Sequence, residues 1–366
     1  MDITLLILLL IATDMKRYFT LMILSLCMNS CNYSGIVTGI RVEQKSPESF
    51  ISLECDSVYS SKFPELKNVY ALQIVNDSIL VFQERATESN PYHFKAYSIN
   101  TFEYIGPFVH KGRGPGEMLA PHIAKSSMCK DYLTLNDNSV GCGYFVDVDK
   151  SLISHNIEIL RSFEFQTGVI DWLPLSEGKQ FVLQSVDNAF VFHSIDTEGE
   201  CIGTFNLYEW MTVDRHTTHL SGFLLDKGDA EGLVAEVMMF FPQVNIIDIS
   251  NGDVRSFAVD KAWRNWRTVI NSRLDMNTIQ YYVGAVSTGD YIIAAYKGCS
   301  LGELNDADRG TKIHVFDWHG NFLKEITVEE NISDMAYDYV NRCIYCIEQS
   351  QNKIIRYNLD DVLSIN

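Results

Sequence analysis

A pair of short β-strand patterns recurs along this chain, and it constrains the fold more than any other feature. The last copy is the clearest: Cys343–Glu348 and Lys353–Leu359 flank the polar turn 349–352. Stretches of about six residues rich in Ile, Val, Tyr and Phe, bounded by Asn, Ser, Asp and Gly, are typical of antiparallel strands. The five upstream equivalents of the second strand are Phe94–Ile99, Gly143–Val148, Ala189–Ile195, Val244–Ile249 and Lys312–Trp318.

The spacing of these copies predicts the architecture. They begin 49, 46, 55, 68 and 41 residues apart, a mean of about 52, which lies in the range of propeller and kelch repeats. Each copy is preceded by one strand-like stretch, and most are followed by another. Four strands with this period form one blade of a β-propeller, in which radial repetition protects the sheet edges. We therefore predict an all-β fold, a six-bladed β-propeller with four antiparallel strands in each blade.

The two ends of the repeat region predict how the ring closes. The sixth block ends after its third strand, whereas Phe50–Cys55 alternates apolar and polar residues without a hairpin partner. We expect this N-terminal strand to complete the last blade. The innermost strands of the six blades are predicted at Asn68–Ile74, His122–Ser127, Val169–Leu173, Leu220–Leu225, Tyr281–Val286 and Asn331–Tyr337.

The N-terminus has the layout of a bacterial export signal. Lys16 and Arg17 precede the apolar stretch Tyr18–Met28, which is too short to span a bilayer, and Cys31 follows. This order predicts a true start at Met15 and lipidation of Cys31; simple secretion, with an incidental cysteine, is the alternative. The predicted organisation is a signal peptide at 1–30, a lipid anchor and tether at 31–48, and the propeller at 49–366.

Charge and cysteine content restrict the function classes. A formal net charge of −18 argues against a nucleic acid partner, because phosphate binding needs a basic face. The seven cysteines after Cys31 are irregularly spaced and do not form a disulfide pattern. Cys343 and Cys346 lie three apart in a predicted strand, so they point to opposite faces and cannot share one zinc ion. Buried apolar cysteines are the simpler interpretation.

The connection after the first blade contains Gly112–Glu117, which reads GRGPGE. With the lipoprotein-like start and the six repeats, the chain resembles the TolB-like six-bladed propeller lipoproteins of Bacteroidetes. The resemblance implies the fold and a position in a Gram-negative cell envelope, and it carries over no catalytic residues. Because no acidic run follows Cys31, we expect lipid anchoring at the periplasmic face of the outer membrane.

Ligand-binding candidates converge on one mouth of the predicted channel. They are Lys111, Arg113 and Glu117 after blade one, His216 and His219 before blade four, the long insertion Gly298–Gly310 in blade five, and Tyr282 as an aromatic platform for sugar rings. The glycines of Gly112–Glu117 can cradle an anion with backbone N–H groups. Alternatively, they permit a tight turn in which Arg113 and Glu117 tie neighbouring loops together.

Two short stretches contain candidate metal ligands. Asp306 and Asp308 form a fragment of a calcium-loop spacing, but the remaining oxygen ligands are missing and a solvated loop explains them as well. His216 and His219 lack a clear third ligand for a transition metal. There is no GxSxG element. We therefore expect no cofactor, with calcium or another divalent ion as the alternative.

These patterns favour a non-enzymatic lipoprotein whose propeller binds an envelope protein or a small ligand such as a carbohydrate. The alternative is a metal-assisted hydrolase or lactonase with its site at the channel mouth, an expectation that rests on analogy with other six-bladed propellers. A purely architectural envelope subunit is a third hypothesis, for which a broad apolar surface patch is expected.

Overall fold

A computed structural model describes residues 41–363, apart from 59–62, 138, 166–168, 176–177, 187–188, 206–207, 209–216, 229–231, 307 and 349–352. Within these residues the chain forms six β-sheets, each containing four strands paired antiparallel. In this described part, no helix is both long and apolar enough to cross a membrane.

The first three sheets follow the predicted repeat. Blade one consists of β4 (Val69–Val75), β5 (Ile79–Glu84), β6 (Tyr92–Ser98) and β7 (Tyr104–His110). Blade two consists of β8 (Pro121–Ile123), β9 (Leu133–Asp137), β10 (Cys142–Val146) and β11 (Ile159–Glu164). Blade three consists of β12 (Val169–Pro174), β13 (Gln180–Val186), β14 (Ala189–Ile195) and β15 (Cys201–Phe205).

The second half of the ring repeats this order. Blade four consists of β16 (Gly222–Asp226), β17 (Leu233–Met238), β18 (Gln243–Asp248) and β19 (Val254–Ala258). Blade five consists of β20 (Ile279–Ser287), β21 (Tyr291–Ser300), β22 (Thr311–Asp317) and β23 (Phe322–Val328). Blade six consists of β24 (Ile332–Asp338), β25 (Cys343–Glu348) and β26 (Lys353–Asn358), completed from the N-terminus. The predicted six-bladed propeller is confirmed.

The N-terminal segment closes the ring, but not with the strand that the sequence predicts. β1 (Val42–Gln44) and β2 (Ser49–Ser52) add in parallel to β19 and β23, the outer strands of blades four and five. Only β3 (Ser57–Val58) completes blade six, antiparallel to β26. The assignment of Phe50–Cys55 to the last blade is therefore wrong. The free backbone groups of an outer strand can accept any extended segment, and the chain passes blade five before it reaches blade six.

Short helices occupy connections rather than blades. They are α1 (Val148–Ser154), α2 (Trp266–Asn271) and α3 (Asp360–Leu363), with 3₁₀ turns at Thr217–Leu220, Lys261–Asn265 and Leu301–Glu303. The sequence analysis missed α1, which begins where the Asp147 carboxylate accepts the Lys150 N–H at 3.0 Å and ends at His155 with a left-handed φ of 58°.

The insertion in blade five is shorter than expected. Residues 298–300 still belong to β21, and the loop proper begins with the 3₁₀ turn Leu301–Glu303 before β22 starts at Thr311. The connection between β19 and β20, which carries Lys261–Asn265 and α2, also contributes to the long interval of 68 residues. The insertion alone therefore does not account for that interval.

The core lies between blades, because each inter-blade interface holds its own apolar cluster. Cys346 packs in the cluster between blades five and six, whereas Cys343 packs in the cluster between blades six and one. The two thiols thus point to opposite faces of β25, as predicted. All seven cysteines after Cys31 are free, and four of them are buried: Cys129, Cys299, Cys343 and Cys346.

Candidate functional site

A cavity on the propeller axis is lined by residues from the innermost strands of all six blades. Its volume is about 350 Å³, within the range of small-molecule sites. Four of the six inner strands contain a register shift, in β4, β12, β20 and β24. Bulges of this kind re-aim side chains, here along the cavity wall. The wall includes Tyr70, Ala71, His122, Lys125, Asp171, Trp172, Phe223, Val283 and Asp334.

An ion pair joins three blades at this wall. Lys125 Nζ lies 2.6 Å from Asp334 Oδ1 and also donates to the Met335 carbonyl at 2.6 Å. The other carboxylate oxygen of Asp334 accepts the Leu72 N–H at 3.0 Å. Both side chains are mostly buried, 18% and 7% exposed. The two charges neutralise each other, which avoids the cost of burying an unpaired charge. Their hydrogen bonds also fix the inner strands of three blades relative to one another.

Below Lys125 the axis narrows to a space of about 40 Å³. Asp226 forms part of its lining and accepts the Ser127 N–H at 2.9 Å as well as the Ser127 hydroxyl. Burial raises the pKa of Asp226 above its ordinary value. These hydrogen bonds connect blades two and four across the narrow end of the channel. The space that is large enough for a ligand therefore lies at the opposite end, where loops join one blade to the next.

Two carboxyl groups close to blades three and four differ from ordinary surface acids. Burial raises the pKa of Asp171 to about 7, and the neighbouring Glu236 charge raises it further. Burial also raises the pKa of Glu236 to about 7, although it accepts hydrogen bonds from the Tyr208 hydroxyl at 2.6 Å and the Asn245 amide at 2.7 Å. With a pKa of about 7, the Asp171 carboxyl is partly protonated near neutral pH. It can therefore offer either a hydrogen-bond donor or an acceptor to the cavity.

A larger cleft of about 790 Å³ opens at the channel mouth above blades one and two. Tyr70 and His122 line both this cleft and the central cavity, so the two spaces adjoin. Lys111 lines the cleft, and Asn305 reaches it from the blade-five insertion. The structure therefore brings a predicted residue and the predicted insertion together. The remaining polar lining residues are Asn68, Arg85, Thr87 and His93.

The Gly112–Glu117 loop borders this cleft without exposing its backbone to it. Glu117 folds back, accepting the Gly114 N–H at 2.8 Å and lying 3.4 Å from His110 Nδ1. A Cβ on Gly112 would lie 1.8 Å from a Glu117 carboxylate oxygen. The loop thus supplies its own anion, which supports the tight-turn interpretation over an anion cradle. Arg113 is exposed and lines neither space.

The other predicted ligand-binding residues lie apart. Tyr282 is fully buried in the interface between blades four and five, with its hydroxyl 3.3 Å from His314 Nδ1. His219 is buried beside the Phe240 ring, with centroids 5.8 Å apart. Neither side chain lines the mouth cleft or the central cavity. His216 and the lipidation candidate Cys31 lie outside the described residues.

Asp306 and Asp308 sit on the exposed surface of the blade-five insertion. The Asp306 carboxylate accepts the Asp308 N–H at 3.2 Å, a turn contact that needs no ion. Among the residues that the structure describes, no group of three or more His, Cys, Asp or Glu side chains is arranged to hold a metal.

A family model described as TolB-like 6-blade propeller-like matches residues 49–339, well over half of the chain. The chain belongs to this TolB-like propeller family. The resemblance predicted from the sequence is therefore confirmed for family and fold, whereas lipidation and the role of the GRGPGE stretch stay predictions.

Two solved structures align with this TolB-like propeller at low sequence identity, and the first of them shares its fold. A member of the DUF4221 family from Bacteroides vulgatus, 12% identical, aligns over 89% of this chain and 98% of that chain with a TM-score of 0.53. A Bacteroides fragilis protein described as a "Putative exported protein", 12% identical, aligns over 84% and 99% with a TM-score of 0.48. No curated protein sequence matches the chain.

Sequence reasoning missed the residues that line the central cavity of this TolB-like propeller. Lys125, Asp171 and Asp334 come from three separate blades and meet only when the ring closes. One signal was present: each is a charged residue within or directly after a predicted innermost strand, where apolar residues dominate. A charge at such a position needs a partner or a cavity, because burying it alone is unfavourable.

Proposed function

We propose that this protein is a binding protein of the bacterial cell envelope that takes a small ligand into its central channel. The observation that carries the proposal is the cavity of about 350 Å³ with lining residues from all six inner strands. Its wall combines apolar and aromatic surface with a few polar groups, the usual composition of a ligand site. Tyr70 and Phe223, neither of them fully buried, offer aromatic surface, and Asp171 offers a hydrogen-bonding group. Such a wall suits a polar ring compound, including a sugar.

Filling the cavity tests the proposal. Ala71 lines the cavity, so Ala71→Phe would place a ring in the ligand space. Binding of benzamide and methyl β-glucoside as neutral probes is measured by calorimetry on the purified protein. We expect at least one probe to bind, and Ala71→Phe to abolish that binding. Ala262→Phe is the matched control, because Ala262 does not line the cavity. Failure of both probes, or binding that survives Ala71→Phe, would contradict the proposal.

Lipid anchoring at Cys31 is the second part of the proposal, supported by the basic and apolar residues that precede it. The protein then faces the periplasm from the outer membrane, with no nucleic acid partner and no resident cofactor. Expression with radiolabelled palmitate tests this part. We expect the label and membrane association in the wild type, and a soluble, unlabelled protein for Cys31→Ser. A wild-type chain without label would overturn the anchor while leaving the ligand site untouched.

A further inference from the structure

The mouth cleft has an unusual lining for this protein. The chain carries 47 Asp and Glu against 29 Lys and Arg, yet no carboxylate lines the cleft. Two cations do, Arg85 and Lys111, both exposed. Burial lowers the pKa of His93 and of His122 below the ordinary value, so the charge of the cleft at neutral pH comes from the lysine and the arginine.

Neither cation is neutralised within the described part of the chain. Lys111 Nζ has one weak contact, 3.5 Å from the Ala86 carbonyl, and no ion pair involves Lys111 or Arg85 among the described residues. Arg85 is close enough to Tyr70 to oppose the rise in the pKa of that phenol, which burial nevertheless raises to about 12. Glu117, the acid of the adjacent 112–117 loop, accepts the Gly114 N–H and lies beside His110. The two positive groups therefore face the cleft without an ion-pair partner among the described residues.

We propose that the mouth cleft binds the acidic group of a small organic anion between Arg85 and Lys111, while the rest of the molecule extends past Tyr70 and His122 into the central cavity. This inference rests on the proposed function, because it uses the same channel. A guanidinium pairs with carboxylate, phosphate or sulfate through two parallel hydrogen bonds, and the lysine adds a point charge. Asn68, Thr87 and Asn305 supply further neutral polar groups at the rim.

The rest of the surface restricts the ligand to small anions. A net charge of −18 repels polyanions such as nucleic acids at long range. Two cations inside a cleft act only at short range, because salt screens exposed charges beyond about 8 Å at physiological ionic strength. A small acid with a ring or apolar body satisfies both the local charges and the cavity beneath them.

Paired probes that differ only in their acidic group test the inference. Benzoate is compared with benzamide, and phenyl phosphate with phenol, by calorimetry on the purified protein. We expect at least one acid to bind roughly tenfold or more tightly than its neutral counterpart, the usual effect of a charge-assisted hydrogen bond. The double variant Arg85→Gln, Lys111→Gln should lose that preference. Arg255→Gln, Lys261→Gln removes two exposed charges outside the cleft and should retain it.

The outcomes separate this inference from the proposed function. Equal affinity for acid and neutral probes, or an acid preference that survives Arg85→Gln, Lys111→Gln, would overturn the anion site. If a neutral probe still binds and Ala71→Phe abolishes its binding, the central channel remains a ligand site. Failure of all four probes would overturn the anion site, and failure of both benzamide and methyl β-glucoside would overturn the channel proposal.

Discussion

At the scale of single residues, Gly112 and Glu117 depend on each other. The carboxylate occupies the space that a Cβ at position 112 would need, and it satisfies the Gly114 N–H. The glycine is therefore required by a side chain of its own loop rather than by a bound anion. This distinction is testable, since an anion cradle and a self-capped turn respond differently to removal of the carboxylate.

We predict that Gly112→Ala and Glu117→Ala each lower the free energy of unfolding by about 1 kcal/mol, the value of one or two partly exposed hydrogen bonds. In the double variant the two losses should not add, because Glu117→Ala has already removed the carboxylate that a Cβ at position 112 would displace. Chemical denaturation of the three variants measures this coupling. Gly106→Ala is the control, since its Cβ would meet nothing nearer than 3.7 Å. Full additivity would refute the mutual dependence.

The second residue-level prediction concerns pH. The folded pKa of Glu236 is about 7 against an ordinary value of 4.5, so the folded state binds more protons than the unfolded state between these values. The contribution of Glu236 to the free energy of unfolding is therefore fully present below about pH 4.5. It is lost as the pH rises through about 7, which lowers the free energy of unfolding by about 3 kcal/mol for this group alone. Ionisation of Asp171, whose pKa is also raised to about 7, acts in the same direction.

Glu236→Gln should remove much of this dependence, because the amide cannot ionise. Denaturant unfolding at several pH values between 5 and 8 measures the slope. Glu88→Gln, an exposed control on the loop after β5, should leave the slope as in the wild type. A wild-type stability that rises over this interval, or a slope unchanged in Glu236→Gln, would contradict the assignment.

At the scale of elements, the N-terminal segment acts as a strap over three blades. It pairs with β19, then β23, then β26, and only its last two residues complete a blade. The contact before β3 is the Asp56 N–H, which donates to the Arg356 carbonyl at 2.9 Å, and the Asp56 carboxylate lies 3.6 Å from Arg356 Nε. Removal of that N–H should weaken the closure of the ring more than removal of the carboxylate.

Asp56→Pro and Asp56→Ala separate these two contributions. The proline removes the donor and restricts the backbone, so we expect a loss of about 1–3 kcal/mol. The alanine removes only a half-exposed ion pair, for which we expect less than about 1 kcal/mol. Thermal unfolding and limited proteolysis of the N-terminal segment measure both effects. Equal losses in the two variants would show that the ion pair, and not strand pairing, closes the ring.

The blade-five insertion is positioned by one buried amide. Asn331 Nδ2 donates to the carbonyls of Leu304 and Asp306, both at 2.8 Å, and its Oδ1 accepts from the buried Lys297. We predict that Asn331→Ala lowers stability by roughly 2 kcal/mol, since it leaves a buried amine and two carbonyls without this partner. Asn305 should then leave the mouth cleft. Denaturation and protease sensitivity near residue 305 test this, with the exposed Asn277→Ala as control. An unchanged insertion would mean that other contacts hold it.

The sequence predicted strands far better than it predicted sites, for physical reasons. A strand such as β25 or β14 can be recognised from a local run of β-branched and aromatic residues, because side chains alternate between the two faces of a pleated strand with a period of two. β1 is three residues long and pairs in parallel with a strand more than two hundred positions away, so no local pattern marks it. Asp171 and Lys125 likewise become neighbours of one cavity only through closure of the ring.

At the scale of the whole molecule, the six largest apolar clusters of the described residues each belong to two blades. Each blade is therefore stabilised by apolar packing against its neighbours. The residues with the best calcium-like spacing, Asp306 and Asp308, lie exposed on a loop that Asn331 fixes from inside. The hydrolase alternative requires a metal that binds the folded state and hence stabilises it.

We therefore predict that EDTA leaves the thermal unfolding midpoint of the purified protein unchanged, and that added calcium or zinc leaves it unchanged as well. A metal bound only by the folded state at a hundred times its dissociation constant would add about 2.7 kcal/mol, a shift that calorimetry resolves easily. Asp306→Asn, Asp308→Asn serves as the site control. If EDTA lowers the midpoint, calcium restores it and the double variant abolishes the response, the insertion holds a metal and the metal-assisted hydrolase replaces the binding protein as the better hypothesis.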